Sequence, residues 1–368
     1  MSKLELKELF ERKGRTDYYW SDTEYTHKTR QREILKSHGP EVKKLYGPDP
    51  WLRRLLTPFI LLQMYFGYRA KDMSWPTMLL IGYFFGGTVT HSCFLAIHEI
   101  THNLCFVTPI YNDLYALFVN LVVPVPYSMM FKTYHAEHHR YLGWDGVDSD
   151  LPTRLEGRLL SNYAGKFFFL TVQVLFYALR PTVVRVIKFE KLHVTNYIVQ
   201  LSFNLLVYFA FGWWPLLYFI ISTFLGTSWH PLAGHFVSEH FVFKGDGGQE
   251  TFSYYGILNT VMWNAGYHVE HHDFPNIPWT RIAKLNTIAP EFYVDLIRTE
   301  SWAGTLFDFL LDPTVNLCSR VVREEGSAKR EKKLPTSTGV MEAAKPHKGP
   351  CQWEIESYIP FVPAEGRG

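Results

Sequence analysis

The chain has 368 residues, enough for one large domain or two ordinary ones, and a formal net charge of only +2. That balance points to no nucleic-acid partner, and four cysteines without C-x-x-C spacing indicate neither a disulfide framework nor a thiolate zinc site. Aromatic residues reach 17% and fall in apolar runs, as lipid-contacting segments do, while a mean hydropathy of −0.08 averages those runs with charged ends.

Met1 to Lys13 is charged and polar, without a signal-peptide pattern. Ser2 stands where N-myristoylation needs glycine. Residues 1–50 read as a water-exposed cytosolic segment, with a helix over Arg30–Lys36 that ends near Gly39-Pro40. Gly47-Pro48-Asp49-Pro50 is a turn cluster. Trp51–Ala70 then turns apolar for about 20 residues, which suits a bilayer core of ~30 Å. Arg69, Lys71 and Asp72 mark a tight turn. Pro76–Ile97 is a second span, free of Asp, Glu, Lys and Arg, and it runs into His98.

Leu114–Met130 is apolar but broken by Pro124 and Pro126. A single crossing there would put the histidines on its two sides on opposite membrane faces, so the segment reads as re-entrant or interfacial. Lys166–Val184 is interrupted by Arg180-Pro181 and followed by Arg185, Lys188 and Lys191. It reads as an amphipathic helix lying on the membrane. Tyr197–Phe211 and Trp213–Leu225 form a second hairpin that turns at Gly212. The expected fold class is all-α: an integral membrane bundle of four transmembrane helices, with interfacial helices and a cytosolic histidine-rich domain. The membrane domain spans 51–323. Residues 324–368 read as a disordered cytosolic tail, whose Lys329, Arg330, Lys332 and Lys333 can meet anionic headgroups. Lys and Arg crowd the histidine side, for example Lys43, Lys44, Arg53, Arg54, Lys132 and Arg140. The opposite turns carry only Arg69 and Lys71, so the positive-inside rule places the histidines and both termini in the cytosol.

Three boxes hold half of the sixteen histidines. They are His98 and His102, then His135, His138 and His139, then His268, His271 and His272. Residues three and four apart share a helix face, so each box presents its imidazoles together. Neutral imidazole is the commonest ligand for transition metals. The set exceeds the three or four ligands of a lone zinc and suits two near-octahedral iron ions. A diiron site of this kind activates oxygen against C–H bonds, chemistry that no side chain supplies.

The boxes resemble those of the membrane fatty-acyl desaturase and hydroxylase superfamily. Their flanks are closer to the sphingolipid Δ4-desaturases, the dihydroceramide desaturases. The resemblance runs from about Asp17 to Arg323. It includes DYYW (17–20), TRQREIL (29–35), HEITHN (98–103), HAEHHRYLGWDGVDSDLPT (135–153), HPLAGHFVSEH (230–240) and NAGYHVEHHDFPNIP (264–278). It implies an endoplasmic-reticulum enzyme with two irons bound by the box histidines. A further histidine completes the shell in that family, and spacing leaves His235 and His240 as candidates, with His230 third. Asn264 is a candidate to bind iron through water. Glu99, Glu137, Asp145 and Glu270 are candidates to orient imidazoles. The implied substrate is dihydroceramide, with O2. Electrons would come from a separate cytochrome b5 and an NAD(P)H-dependent reductase, because His230-Pro231 lacks the glycines of a haem-binding HPGG. The chain departs from the family in beginning Met1-Ser2, where animal members often begin Met-Gly, and in its tail.

Two rivals share parts of this pattern. His98-Glu99-Ile100-Thr101-His102 also matches H-E-x-x-H, the pattern of a zinc protease, but that reading leaves the other boxes idle. A lipid C4-hydroxylase shares all three boxes and starts from the same hydrogen removal, so sequence does not separate it from a desaturase. A non-catalytic membrane scaffold is disfavoured by the intact ligand set.

Overall fold

The computed structural model describes residues 17–21, 26–245 and 247–323. The tail 324–368 and the first residues of the N-terminal segment lie outside the described residues. Helix α1 spans Thr26–Lys43, longer than expected at both ends. It bends at His38, two residues before Pro40, where a proline removes a helix hydrogen bond and clashes with the preceding turn.

Helices α2 (Trp51–Arg69) and α3 (Trp75–Thr101) make the first hairpin. A short 3-10 turn over Ala70–Asp72 links them, and Ser74 caps α3 by accepting from the Thr77 N–H. Within α3, Gly82–Gly87 is wound as a π-helix, an insertion often found near functional sites. Beyond it α3 is buried on all sides, from Val89 to Thr101. Its Cys93, Ala96, Ile97 and Ile100 share one apolar core with Leu52, Leu56 and Ile60 of α2. Ala116, Leu117 and Val119 of α4 (Pro109–Asn120) join the same core.

At 12 residues, α4 is ~18 Å long, short of a ~30 Å bilayer core. The chain turns through Pro124 and Pro126 and enters α5 (Ser128–Arg140). Asn120 ties this turn: its Oδ1 accepts from the Tyr127 and Ser128 N–H groups, and its Nδ2 donates to the Val125 carbonyl. The segment Leu114–Met130 is therefore a helix–turn–helix that folds back.

A capping box of Thr153 and Glu156 starts α6 (Arg154–Leu160). Then come α7 (Tyr163–Val184), kinked at Val172, α8 (Lys191–Phe211) and α9 (Trp214–Gly226). Gly212 links the last two at φ 80°, a left-handed conformation that glycine adopts without steric cost. Among the described residues, α3, α7 and α8 are long and apolar enough to cross a bilayer. Helix α9 has 13 residues, and α2 carries Arg53, Arg54 and Arg69 at its ends. Nevertheless α2, α3, α8 and α9 pack together, whereas α7 packs on α6 and on α14 (Trp302–Leu311).

After α9 a 3-10 turn over Pro231–Gly234 leads into the short α10 (His235–Ser238). Next follow α11 (His268–Asp273), α12 (Trp279–Ile282) and α13 (Lys284–Ile288). Two tiny parallel sheets close this region. Strand β1 (Tyr19–Trp20) pairs with β4 (Val321–Val322), and β2 (Ser253–Tyr254) with β3 (Arg298–Thr299). The protein is a mostly helical, multi-span membrane protein with a histidine-rich cluster.

Candidate metal centre

The three boxes lie at the ends of helices that converge. His98 occupies the last turn of α3 and His102 caps it. His135, His138 and His139 occupy the last two turns of α5. His268, His271 and His272 fill the short α11. Side-chain nitrogens of His98, His102, His135, His139 and His271 gather within 4.8 Å of one another, and those of His138, His240 and His272 form a second such group. His268 completes the second group, its Nε2 lying 3.0 Å from that of His240.

The spacing inside the groups identifies what they suit. The His135 Nε2 lies 2.9 Å from the Nε2 of His102 and 3.0 Å from that of His139. The His139 and His271 Nε2 atoms are 3.1 Å apart, as are those of His138 and His240. With metal–nitrogen bonds of ~2.1 Å, ligands at right angles stand ~3.0 Å apart and tetrahedral ligands ~3.4 Å. The observed contacts match octahedral edges. Five nitrogens in one group also exceed the three protein ligands of a catalytic zinc, which removes the zinc-protease reading of His98 and His102.

Orphan nitrogens point the same way. The Nε2 atoms of His98 and His272 are buried and have no hydrogen-bond partner among the described residues, an arrangement that costs free energy unless something binds there. Burial, followed by repulsion from neighbouring imidazoles, holds His135, His139, His268, His271 and His272 far below the ordinary histidine pKa. Burial alone pushes His102 down to about 3. These rings therefore persist in the neutral, ligating form. His138 differs. Burial opposes its charge, but the buried Asp148 carboxylate, 2.9 Å from its Nδ1, outweighs that and raises its pKa. Asp148 thereby fixes the Nδ1 proton and turns the Nε2 lone pair toward the cluster. The His240 Nδ1 donates to the Glu250 carbonyl at 3.1 Å, so its Nε2 also faces inward. The two Nε2 atoms, 3.1 Å apart, are placed to share a proton or a metal ion.

The structure separates the two candidates for the extra ligand. His240 enters the second group, whereas the His235 Nδ1 lies 2.8 Å from the Nε2 of His91, outside both groups. His230 bonds its ring to the Leu232 N–H, at the start of the same 3-10 turn. The acidic and amide residues singled out in sequence have other partners. Glu99 accepts from the Trp279 N–H at 2.7 Å, and Glu137 pairs with Arg185 at 3.3 Å. Asp145 faces Arg154 at the surface, and Glu270 accepts from Ser253 and Tyr255. Asn264, at φ 52°, donates to the Trp279 carbonyl and lines a narrow cleft with His98, Glu99 and His271. Among the described residues, the carboxylates that come within ion-pair distance of box imidazoles are Asp148 and Glu239, the latter 3.4 Å from the His268 Nδ1 without a hydrogen bond. Sequence reasoning missed both. Asp148 lay inside the quoted motif, ten residues beyond its partner, but no helical spacing links the two.

The fatty acid desaturase family model matches residues 73–301, and the sphingolipid Delta4-desaturase model matches residues 14–51. A sphingolipid delta(4)-desaturase of Oryza sativa is 45% identical over 309 residues, covering 84% of this chain and 93% of the relative. One from Schizosaccharomyces pombe is 46% identical over 324 residues, covering 84% and 89%. The chain belongs to the sphingolipid Δ4-desaturase family. A Bos taurus relative described as a sphingolipid delta(4)-desaturase/C4-monooxygenase is 42% identical over 314 residues, covering 85% and 96%. In this desaturase the clustered histidines form a diiron-binding site, and the spacing, the orphan nitrogens and the all-imidazole donor set fit it.

Proposed function

We propose that this enzyme converts dihydroceramide to ceramide, introducing a trans double bond between C4 and C5 of the sphingoid base. The observation that carries the reading is the convergence of the eight box histidines and His240 into two adjacent groups at the buried end of α3. These nine imidazoles are the ligands we assign. The reaction removes two hydrogens and O2 leaves as two waters, so two electrons and two protons must be delivered from outside. Bound here, the iron pair supplies the oxygen-derived oxidant that C–H removal needs. The chain holds most of the imidazoles neutral, keeps bulk water from them, and fixes one C–H beside them. The cleft lined by Leu95, Trp263, Asn264, Ile277 and Trp279 abuts His98 and His271. Its lining mixes apolar Leu95, Trp263, Ile277 and Trp279 with polar Glu99 and Asn264, and its volume of about 10 Å³ is far below that of a lipid chain. C4 lies only a few bonds from the amide headgroup, so a metal centre near the membrane surface would meet it.

We place the enzyme in the endoplasmic reticulum membrane with four crossings, the metal centre in the cytosol, and cytochrome b5 with its reductase as electron donor. The domain limits are 51–323 for the catalytic membrane unit, 1–50 before it and 324–368 behind it. Box-side charge supports the orientation.

The test is to supply purified protein with reduced cytochrome b5, O2 and short-chain dihydroceramide, and to analyse the lipids by mass spectrometry. Ceramide with a Δ4 trans bond is expected. C4-hydroxylated phytoceramide as sole product would establish the hydroxylase reading, which the 42% identity to a dual-function relative keeps as the second choice. Desaturation of an acyl-CoA alone would overturn the substrate class.

A further inference from the structure

The N-terminal helix α1 belongs to the segment matched by the sphingolipid-specific model, yet it carries none of the boxes. Its residues 27, 30 and 31 share one face, and that face meets the third box. Asp273, directly after His272, is fully buried. Its carboxylate receives the His27 Nδ1 at 2.7 Å, the Arg30 Nε at 2.6 Å and the Tyr293 hydroxyl at 2.9 Å. The Gln31 amide donates to the Asp273 carbonyl at 2.7 Å.

The second ring nitrogen of His27 continues the chain. The Arg30 Nη2 lies 3.0 Å from both the His27 Nδ1 and the Asp273 carboxylate; with Arg30 donating to Asp273, the nearer carboxylate takes the Nδ1 proton, and that tautomer leaves Nε2 as an acceptor. The Thr251 hydroxyl lies 2.7 Å from that Nε2 and donates to it. The Thr251 oxygen then stands 3.4 Å from the His240 Nδ1, beside the closer Glu250 carbonyl. The His27 ring also lies against that of His272, with centroids 5.0 Å apart. His272, which His27 touches, and His240, which it reaches through Thr251, both belong to the second histidine group; His271 of the first group neighbours His272 on α11 but shares none of these contacts.

We infer that His27 is a positioning residue of the metal centre. Through Asp273 and Thr251 it sets the orientation and proton placement of the ligands in the His138–His240–His272 group, and of that group alone. The N-terminal segment is thus a built part of one of the two metal sites. The inference rests on the two-metal reading, and the metal count of the unaltered enzyme tests that reading separately.

The experiment uses full-length protein in detergent or nanodiscs, loaded with iron. Metal content per chain is followed by mass spectrometry during chelator challenge, alongside the optical spectrum and thermal stability. Thr251→Val keeps the side-chain shape and removes only the hydroxyl. His27→Phe keeps a ring against His272 and removes both nitrogens. We expect each to release one of the two metals 10- to 100-fold more readily, the usual effect of losing a partner of a ligand. The other metal should stay as in the unaltered enzyme. The double variant should be no worse than the worse single one, because the residues act in one chain. Thr251→Ser should restore normal retention. A merely structural role predicts that both metals loosen together as thermal stability falls, and that outcome overturns the inference. So does unchanged retention in Thr251→Val and His27→Phe, or failure of Thr251→Ser to rescue. If the unaltered enzyme holds a single metal, the two-metal reading fails and the inference falls with it.

Discussion

An imidazole binds a metal only through the nitrogen that its neighbours leave unprotonated, so the partner of the far nitrogen matters almost as much as the ligand. Asp148 is such a partner: it is fully buried and bonded to His138. Asp148→Asn should weaken metal retention and turnover about 10- to 100-fold, measured by metal content and ceramide formation, whereas Asp145→Asn, at an exposed ion pair, should change little. Removing a ligand outright is harsher. His138→Ala or His271→Ala should abolish turnover while the protein still inserts, because apolar spans direct insertion; full activity in either would rule out the assigned site. The box histidines were legible because helical spacing repeats. His240 and His235 were not separable, since both lie in one short stretch and only the fold sends the His235 ring to His91 and the His240 ring to His138. Asp148 and Glu239 depend on chain reversals that no local pattern encodes.

Among elements, the apolar runs gave the two hairpins and the doubling back at Leu114–Met130, because length against bilayer thickness limits what each can be. The π-helical stretch in α3 was not legible, since it depends on contact with α9. There Gly87 and Gly226 meet so closely that a Cβ at Gly226 would stand 2.4 Å from the Gly87 carbonyl oxygen. Gly226→Val should therefore push α9 from α3, costing about 1–3 kcal/mol; a lower melting temperature with reduced activity checks it. The helix ends that carry the boxes have their own pH response. Burial, then mutual repulsion, lowers the pKa values of His135, His139, His268, His271 and His272 in the metal-free fold. The unfolded chain thus binds more protons, so stability rises with pH and is lost as pH falls through the unfolded value of ~6.5. His138, raised by Asp148, works in the opposite sense, but alone. Chelated protein should melt at progressively lower temperature from about pH 7 to pH 5, and metal-loaded protein should resist over that range. Coincident profiles would mean that the metal does not hold these rings.

For the whole molecule, the metal centre constrains the topology by parity. Box two and box three share one group, through the 3.1 Å contact of His139 and His271, so the chain between them crosses the membrane an even number of times. Helix α8 starts on the box side, where His193 lies 2.9 Å from Thr133 of α5. It ends beside the turn between α2 and α3, with the Phe211 ring 5.5 Å from that of Tyr68, and Trp214 opening α9 lies 6.0 Å from Trp75. We expect the α8–α9 hairpin to leave and return, and parity then leaves no crossing for α7 despite its length of 22 residues. Both ends of α7 are tied to segments outside the hairpins: Lys166 donates to the Asp312 and Val315 carbonyls beyond α14, and Arg180 meets Glu156 of α6 and the Asp150 carbonyl. Composition alone marks α7 as able to span, and only the sites at its ends argue otherwise. We therefore expect four crossings. Tags at the N-terminus, within 186–189 and after Val322 should all be open to protease from the cytosolic side, while glycosylation acceptors placed at Lys71–Ser74 and at Gly212–Trp213 should be modified from the lumen. A lumenal tag within 186–189 would make α7 a span in place of α9, which would then be a half-helix that never crosses.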